Sequence, residues 1–308
     1  MIQKPVIIIS SLGRTGTTFL ADFFKKNYPS AFSVHEPGVI DFANFKTIDA
    51  LKIIKHYGVI NTVINKIIGK HGIIYISNQR IAGLIRLEKA AENIINLRSS
   101  YINSFNNKIY IESNYHYYGC LDVLPLVFSE FKAVYLIRDP REWVRSSINK
   151  NGLYHRKDIH QHLRNRPTPI LFNDQKYIYK WKKMNQFAKL CWAWSYLNEY
   201  AMASVKNIPQ IKICLFEDLF INKDKIDNLF ELIYFLTHLS ASSESQTENL
   251  KMALKIALTE KVNRPPTYEF PRWPQWQPKE AKTLHEICGG LMAKLGYGHE
   301  PEWKKMIA

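Results

Sequence analysis

Ile7-Ile8-Ile9-Ser10-Ser11-Leu12-Gly13-Arg14-Thr15-Gly16-Thr17-Thr18-Phe19-Leu20 joins an apolar, β-branched run to a glycine-and-threonine turn and then to a helix. The run, residues 5–10, has the composition of a strand buried on both faces. Gly13 and Gly16 let the backbone bend and come close to an anion. The helix that follows, over 17–27, turns Phe19, Leu20, Phe23 and Phe24 inward. Its free N–H groups and positive dipole end face the turn. Thr17 and Thr18 add hydroxyl donors, and Arg14 adds a permanent charge. The stretch is a phosphate cradle at the end of a parallel strand.

What the cradle lacks narrows its ligand. A nucleoside triphosphatase loop, G-x-x-x-x-G-K-[ST], carries Lys after its second glycine. Here Thr17 stands in that place, and five residues back from Gly16 is Ser11. The loop can hold phosphate or a close mimic, but it is not built as a site for ATP and Mg²⁺.

The chain's 308 residues allow a sizeable core, and 46% hydrophobic with 22% charged residues is ordinary for a globular protein. A net charge of +15 is not ordinary, and it favours anionic partners: nucleotides, acidic glycans, nucleic acid or an acidic membrane surface. Cys120, Cys191, Cys214 and Cys288 form no C-x-x-C and no metal-ligand spacing. Reduced, mostly buried thiols and a cytoplasmic location are the expectation. No apolar run is long enough to span a bilayer, and the N-terminus lacks the form of a signal peptide.

Three further short apolar runs, 108–112, 132–137 and 211–215, complete a set of four expected strands. Helices are expected at 46–57, 59–70, 81–103, 120–130, 175–206, 223–238, 246–257 and 279–295, and another opens at Asp139-Pro140. A turn is expected at Pro37-Gly38. Alternating strands and helices argue for an α/β fold, a three-layer α/β/α sandwich with a central parallel sheet of the P-loop nucleotide-binding type. One domain spans 1–308, with a helical insertion about 46–103 and a basic loop about 151–173.

The second informative stretch is Val134-Tyr135-Leu136-Ile137-Arg138-Asp139-Pro140-Arg141-Glu142-Trp143-Val144-Arg145-Ser146. A strand delivers Arg138 at its carboxyl end, where ligands of parallel α/β sheets bind. Arg138 and the glycine loop therefore open onto one crevice.

This pair of motifs resembles the sulfotransferase superfamily that uses 3′-phosphoadenosine 5′-phosphosulfate (PAPS), nearer the glycan and bacterial type than the cytosolic aryl type. Arg14-Thr15-Gly16-Thr17-Thr18 matches that family's 5′-phosphosulfate loop, and Arg138 with Ser146, eight residues on, matches its 3′-phosphate pair. Phe216-Glu217-Asp218-Leu219 and Trp194 with Asn198 are further echoes. The resemblance covers roughly 5–30, 130–150 and 190–220. It implies PAPS as cofactor, 3′,5′-ADP as product, and no required metal. Gly13, Arg14, Thr15, Gly16, Thr17, Thr18, Arg138, Ser146 and Arg264 are then the cofactor-binding candidates.

In-line transfer needs a base for the acceptor and charge stabilisation at the leaving phosphate. Arg14 suits the second role, because a guanidinium does not readily give up a proton. Glu36 is the favoured base, with Pro37 expected to hold it extended. His35 competes, and Glu112 is an alternative base or acceptor-binding residue. Asp139 is expected to cap its helix, and Arg141 and Arg145 to lie on a solvated face. His155, Arg156, Lys157, His160, His162, Arg164 and Arg166 make the 151–173 loop either a lid or a solvated loop. Lys261, Asn263, Arg264, Arg272, Trp273 and Trp276 form a basic-aromatic segment that either meets the cofactor or packs on the domain.

The resemblance implies a hydroxyl acceptor, for which a carbohydrate, a lipid-linked sugar, a small molecule and a peptide tyrosine all fit. The rivals are a P-loop phosphotransferase, which lacks its Lys and metal-holding acid, and a non-enzymatic basic nucleic-acid binder. The latter is favoured by charge and 13% aromatic content but leaves the loop unexplained.

Overall fold

The computed structural model describes residues 1–37, 72–150, 153–155, 166–237, 244–260 and 269–308. The expected helices at 46–57 and 59–70, and most of the basic loop, lie outside them.

The strands are β1 (Val6–Ser11), β2 (Ala31–His35), β3 (Ile109–Ser113), β4 (Phe131–Ile137) and β5 (Ile211–Leu215). They form one sheet in the order β2-β3-β1-β4-β5, and every pairing is parallel. The main helices are α1 (Thr17–Asn27), α2 (Ile73–Ile81), α3 (Leu87–Asn103), α4 (Pro140–Asn149), α5 (Gln186–Ser204), α6 (Lys225–Thr237), α7 (Glu244–Thr259), α8 (Pro278–Lys294) and α9 (Pro301–Ile307).

Successive strand residues face opposite sides of a sheet, and β1 divides the core accordingly. Ile7 and Ile9 join Phe19, Leu20, Phe23 and Phe24 of α1 and Leu229, Leu232 and Ile233 of α6. Val6 and Ile8 join Ile94 of α3, Val144 of α4, Leu190 and Trp194 of α5, and Leu284 of α8. Helices therefore cover both faces, and the three-layer α/β/α class expected from the sequence is the observed one. No helix among the described residues is long and apolar enough to cross a membrane.

The departures are local. β2, Ala-Phe-Ser-Val-His, is a strand the pattern did not reveal. It lies between Pro29 and Pro37, pairs only with β3 at the sheet edge, and so carries a short, half-buried signature. The helix expected at 81–103 begins only at Leu87, after a turn at Gly83, which takes φ +69°, and α2, Ile73–Ile81, is a helix the pattern did not reveal. Over 120–130 there is a 3₁₀ turn, Leu121–Val123, running into a one-turn helix, Leu124–Val127. α5 starts at Gln186, because Asn185 accepts the Ala188 N–H at 2.9 Å and sets its N-terminus. All four cysteines are free, and Cys120, Cys191 and Cys288 are buried.

One ion pair is fully enclosed. Arg98 of α3 donates from Nε and Nη2 to both oxygens of Glu112 on β3, at 2.9 and 3.0 Å. Tyr110 Oη and Asn114 Nδ2 also donate to that carboxylate, at 3.0 and 2.9 Å. Burial pushes the Tyr110 hydroxyl well above its usual range, so it stays a donor. Removing one partner of such a pair strands a buried charge. Arg98→Met is expected to cost about 3–5 kcal/mol in urea denaturation. Arg98→Met combined with Glu112→Gln, which removes both charges and keeps an acceptor, should cost clearly less; an equal or larger loss would show that packing, not charge, governs this position.

Candidate active site

β1 and β4 are paired from Val6 opposite Phe131 to Ser11 opposite Leu136. Gly13 and Arg138, each two residues further on, therefore leave the sheet side by side. β1 is also where the chain changes direction, since β2 and β3 lie on one side of it and β4 and β5 on the other. Such a switch point opens a crevice beyond the strand ends.

The loop between β1 and α1 is left-handed at Gly13 (φ +79°), Arg14 (φ +59°) and Gly16 (φ +83°). Gly16 is the N-cap of α1, and no side chain caps the helix there. The first turn carries no acidic residue, so its N–H groups present an uncompensated positive end. A Cβ on Gly16 would come within 2.6 Å of the Phe220 ring, so that ring would have to move, beyond the strain that the positive φ imposes on any other residue. Thr15 is 1% exposed, and its Oγ1 has no hydrogen-bond partner among the described residues.

The two motifs singled out from the sequence touch. Arg138 Nη1 donates to the Arg14 carbonyl at 2.9 Å, and Arg14 Nε donates to Ser146 Oγ at 3.0 Å. The Arg138 guanidinium lies over the Phe216 ring, 4.4 Å from its centroid. Trp194 Nε1 donates to the Arg138 carbonyl at 2.9 Å, and Asn198 accepts from Tyr135 Oη at 2.9 Å, which ties α5 to β4. Arg14 thus reaches toward the Arg138–Ser146 end of the crevice rather than standing apart from it.

His35 and Glu36 leave the carboxyl end of β2, on the other side of α1's first turn. Ser113 Oγ gives its proton to the Thr17 carbonyl at 2.9 Å. It can then only accept from His35 Nδ1, at 3.1 Å. His35 Nε2 faces Glu36 Oε1 at 3.2 Å and Thr18 Oγ1 at 3.4 Å. Glu36 is not extended as Pro37 suggested: its φ is +49°. Two bonds bracket this strained residue, Glu36 N–H to the Ser113 carbonyl at 2.8 Å and Arg98 Nη2 to the Pro37 carbonyl at 3.1 Å. Strain of about 1–3 kcal/mol persists only where neighbours over-determine it.

Three sequence readings change. Glu112 does not face an open cleft; it is 0% exposed, and both its oxygens are spent on Arg98 and its neighbours. Arg141 and Arg145 are buried rather than solvated. Arg141 is held by Asp139 and by Glu300 of the turn before α9, and it lies 4.6 Å from the Trp273 ring centroid. Arg145 donates to Glu142 at 3.1 Å. Asp139 caps α4 as expected, accepting the Arg141 N–H at 2.8 Å. Trp276 is buried against Phe187 and Trp303, which is packing on the domain. Lys261, Asn263, Arg264 and the loop residues Arg156, Lys157, His160, His162 and Arg164 lie outside the described residues.

Sequence reading passed over Trp143, whose indole Nε1 donates to the Gly13 carbonyl at 3.0 Å. A signal was present: Trp143 stands three residues before Ser146, hence on the same helix face. It also passed over Ser113, Tyr115 and Phe220, which reach the loop only through the fold.

Glu217 ties the late strand to this site. Its Oε1 accepts from the Asp139 N–H at 3.2 Å and its Oε2 from Tyr297 Oη at 2.6 Å. Burial raises its carboxyl above the usual value of 4.5. Among the described residues no group of three or more His, Cys, Asp or Glu could hold a metal ion.

No protein-family model matches the chain, and no curated protein matches its sequence. Among solved structures, retinol dehydratase in complex with androsterone and the inactive cofactor PAP is similar at a TM-score of 0.41 and 15% identity. That similarity covers 93% of this chain and 80% of the other. A likeness of this size assigns neither family nor activity.

Two predictions follow from the geometry. Gly16→Ala should cost more than the roughly 1–2 kcal/mol that a left-handed alanine costs alone. Gly83→Ala, at φ +69° with no atom within 4 Å of an added Cβ, is the control, and comparable losses in thermal denaturation would remove any role for Phe220. The raised Glu217 carboxyl binds its proton more tightly folded than unfolded, so its contribution to stability is greatest at acid pH and is lost as pH rises through the folded value. Denaturation of wild type and Glu217→Gln from about pH 4 to about pH 7 should therefore move the comparison in favour of the variant as pH rises.

Proposed function

We propose that this chain is a sulfotransferase that moves a sulfuryl group from PAPS to an acceptor hydroxyl by in-line displacement, leaving 3′,5′-ADP. One observation carries the reading. A glycine loop of the form Arg-Thr-Gly-Thr-Thr, with no Lys after the glycine, meets an Arg-Asp-Pro strand end and its Ser at the mouths of two adjacent parallel strands. Two anion-binding elements on one crevice suit a nucleotide with phosphate at both its 5′ and 3′ positions. The uncapped start of α1 and the unpartnered, buried Thr15 hydroxyl support an anion at the loop.

Each residue has a role in this reading. Gly13, Thr15, Gly16, Thr17 and Thr18 hold the 5′-phosphosulfate. Arg138 and Ser146 hold the 3′-phosphate, with Arg264 a further candidate. Ser146 Oγ accepts from Arg14, which leaves its own proton to donate. Arg14 stabilises charge at the leaving 5′-phosphate, and Glu36 takes the acceptor proton. His35, in contact with both Glu36 and Thr18, orients that carboxylate and is the alternative base. Bound PAPS supplies the sulfuryl group, and the residues need no metal to neutralise it.

The acceptor is a hydroxyl on a carbohydrate, a lipid-linked sugar, a small molecule or a peptide tyrosine. The chain acts as one domain, in the cytoplasm, without a nucleic-acid partner.

Thermal denaturation with 3′,5′-ADP, ATP with Mg²⁺, and oligonucleotides tests the reading. Selective stabilisation by 3′,5′-ADP is the expected result; stabilisation only by ATP with Mg²⁺, or only by oligonucleotide, would sink it. In an acceptor screen with labelled PAPS, Glu36→Gln should lose turnover by about 10²-fold or more while 3′,5′-ADP binding stays close to wild type. An active Glu36→Gln variant would refute that role.

A further inference from the structure

The anion loop is held in its unusual shape by residues far along the chain. Gly13, Arg14 and Gly16 have positive φ, and Arg14 has no glycine's excuse for it. The Gly13 carbonyl is taken by the Trp143 indole at 3.0 Å, and the Arg14 carbonyl by the Arg138 guanidinium at 2.9 Å. The Arg14 side chain is anchored on Ser146 at 3.0 Å. These partners lie 130, 124 and 132 residues away in sequence. All three belong to α4 or to the residues that lead into it.

In a trans peptide the C=O and N–H lie in one plane and point in opposite directions, and no peptide bond among the described residues is cis. Fixing the Gly13 carbonyl therefore aims the Arg14 N–H away from Trp143. Fixing the Arg14 carbonyl aims the Thr15 N–H away from Arg138. The direction of two of the loop's donors thus depends on α4.

We infer that the Arg138–Ser146 segment preorganises the 5′ anion loop as well as binding at the 3′ end, so that the two ends of the nucleotide site are energetically coupled through Arg14, Arg138 and Trp143. Arg138 and Trp143 are here positioning residues. The inference rests on the sulfotransferase reading only for the identity of the ligand; the bracing itself is a property of the free protein.

Two measurements on the full chain separate these. The first is amide hydrogen exchange of a peptide covering 12–19 without ligand, in wild type, Arg138→Met, Arg138→Lys and Trp143→Phe. Exchange in 12–19 should rise in the Met and Phe variants, while peptides from β1 and α6 stay as in wild type. The second is binding of 3′,5′-ADP and of 5′-AMP, which has no 3′-phosphate. Arg138→Met should weaken both, and Trp143→Phe should weaken both by a similar factor, about fivefold or more for one lost hydrogen bond. Unchanged exchange in 12–19, with 5′-AMP binding as in wild type and only 3′,5′-ADP weakened, would overturn the coupling and leave the nucleotide reading intact. If wild type binds neither nucleotide, the functional reading fails, and the exchange data still decide the bracing. Should Arg138→Met not fold, Arg138→Lys and Trp143→Phe carry the same comparison.

Discussion

Six residues of β1 pair in parallel with six of β4, and four pair with β3. Once those ladders form, the points at which the chain leaves the sheet are no longer free. The turn after Ser11 and the turn after Ile137 must open beside each other, because a slip of one residue would turn Ile7 and Ile9 from one core to the other. The hydrophobic division of β1 is therefore what brings Gly13 next to Arg138. Helices α1 and α4 then start at one edge of the sheet.

Buried charge makes that arrangement rigid. Arg141 is 2% exposed and is satisfied by Asp139 and Glu300, so the start of α4 is pinned to the C-terminal turn. The Arg141 bonds hold the Glu300 carboxyl below its usual range. Arg98 does the same on the other side: it pairs with Glu112 and holds the Pro37 carbonyl next to Glu36. A guanidinium suits both places, because its planar fork of donors can serve two acceptors at once. Removing Arg141 would take the cation from two carboxylates, and removing Arg98 would leave the buried Glu112 charge uncompensated and the Pro37 carbonyl without that donor, so Arg141 is buried rather than on the solvated face expected from the sequence.

The carboxylates near the crevice separate by what surrounds them. Glu112, at the end of a strand, has every acceptor position near it occupied and cannot approach a substrate. Glu36 has His35 beside its carboxylate, among the described residues, and is partly exposed. Sequence spacing placed both at the carboxyl edge. The difference between them comes from α3, whose Arg98 is brought to Glu112 by the packing of that helix on the sheet.

Much of this was legible in the residues. The apolar runs marked four strands, the glycine-and-threonine turn marked a cradle, and Asp139-Pro140 marked a helix start, because each depends on local sterics and backbone bonding that neighbouring residues dictate. β2 escaped because Ala-Phe-Ser-Val-His holds only two large apolar residues, whereas β5, an edge strand of equal length, reads Ile-Lys-Ile-Cys-Leu. Trp143, Phe220, Ser113 and the burial of Arg141 escaped for a different reason. Each acts on the loop or on α4 through contacts with residues far away in sequence, from the 96 positions between Ser113 and Thr17 to the 159 between Arg141 and Glu300, and further still for Phe220 on Gly16. The sequence by itself determined the strand, the glycine-and-threonine turn and the helix. Only the tertiary structure decided which carbonyls of the cradle are tied down and which carboxylate stays available, because those depend on which distant donors the closed sheet brings within 3 Å.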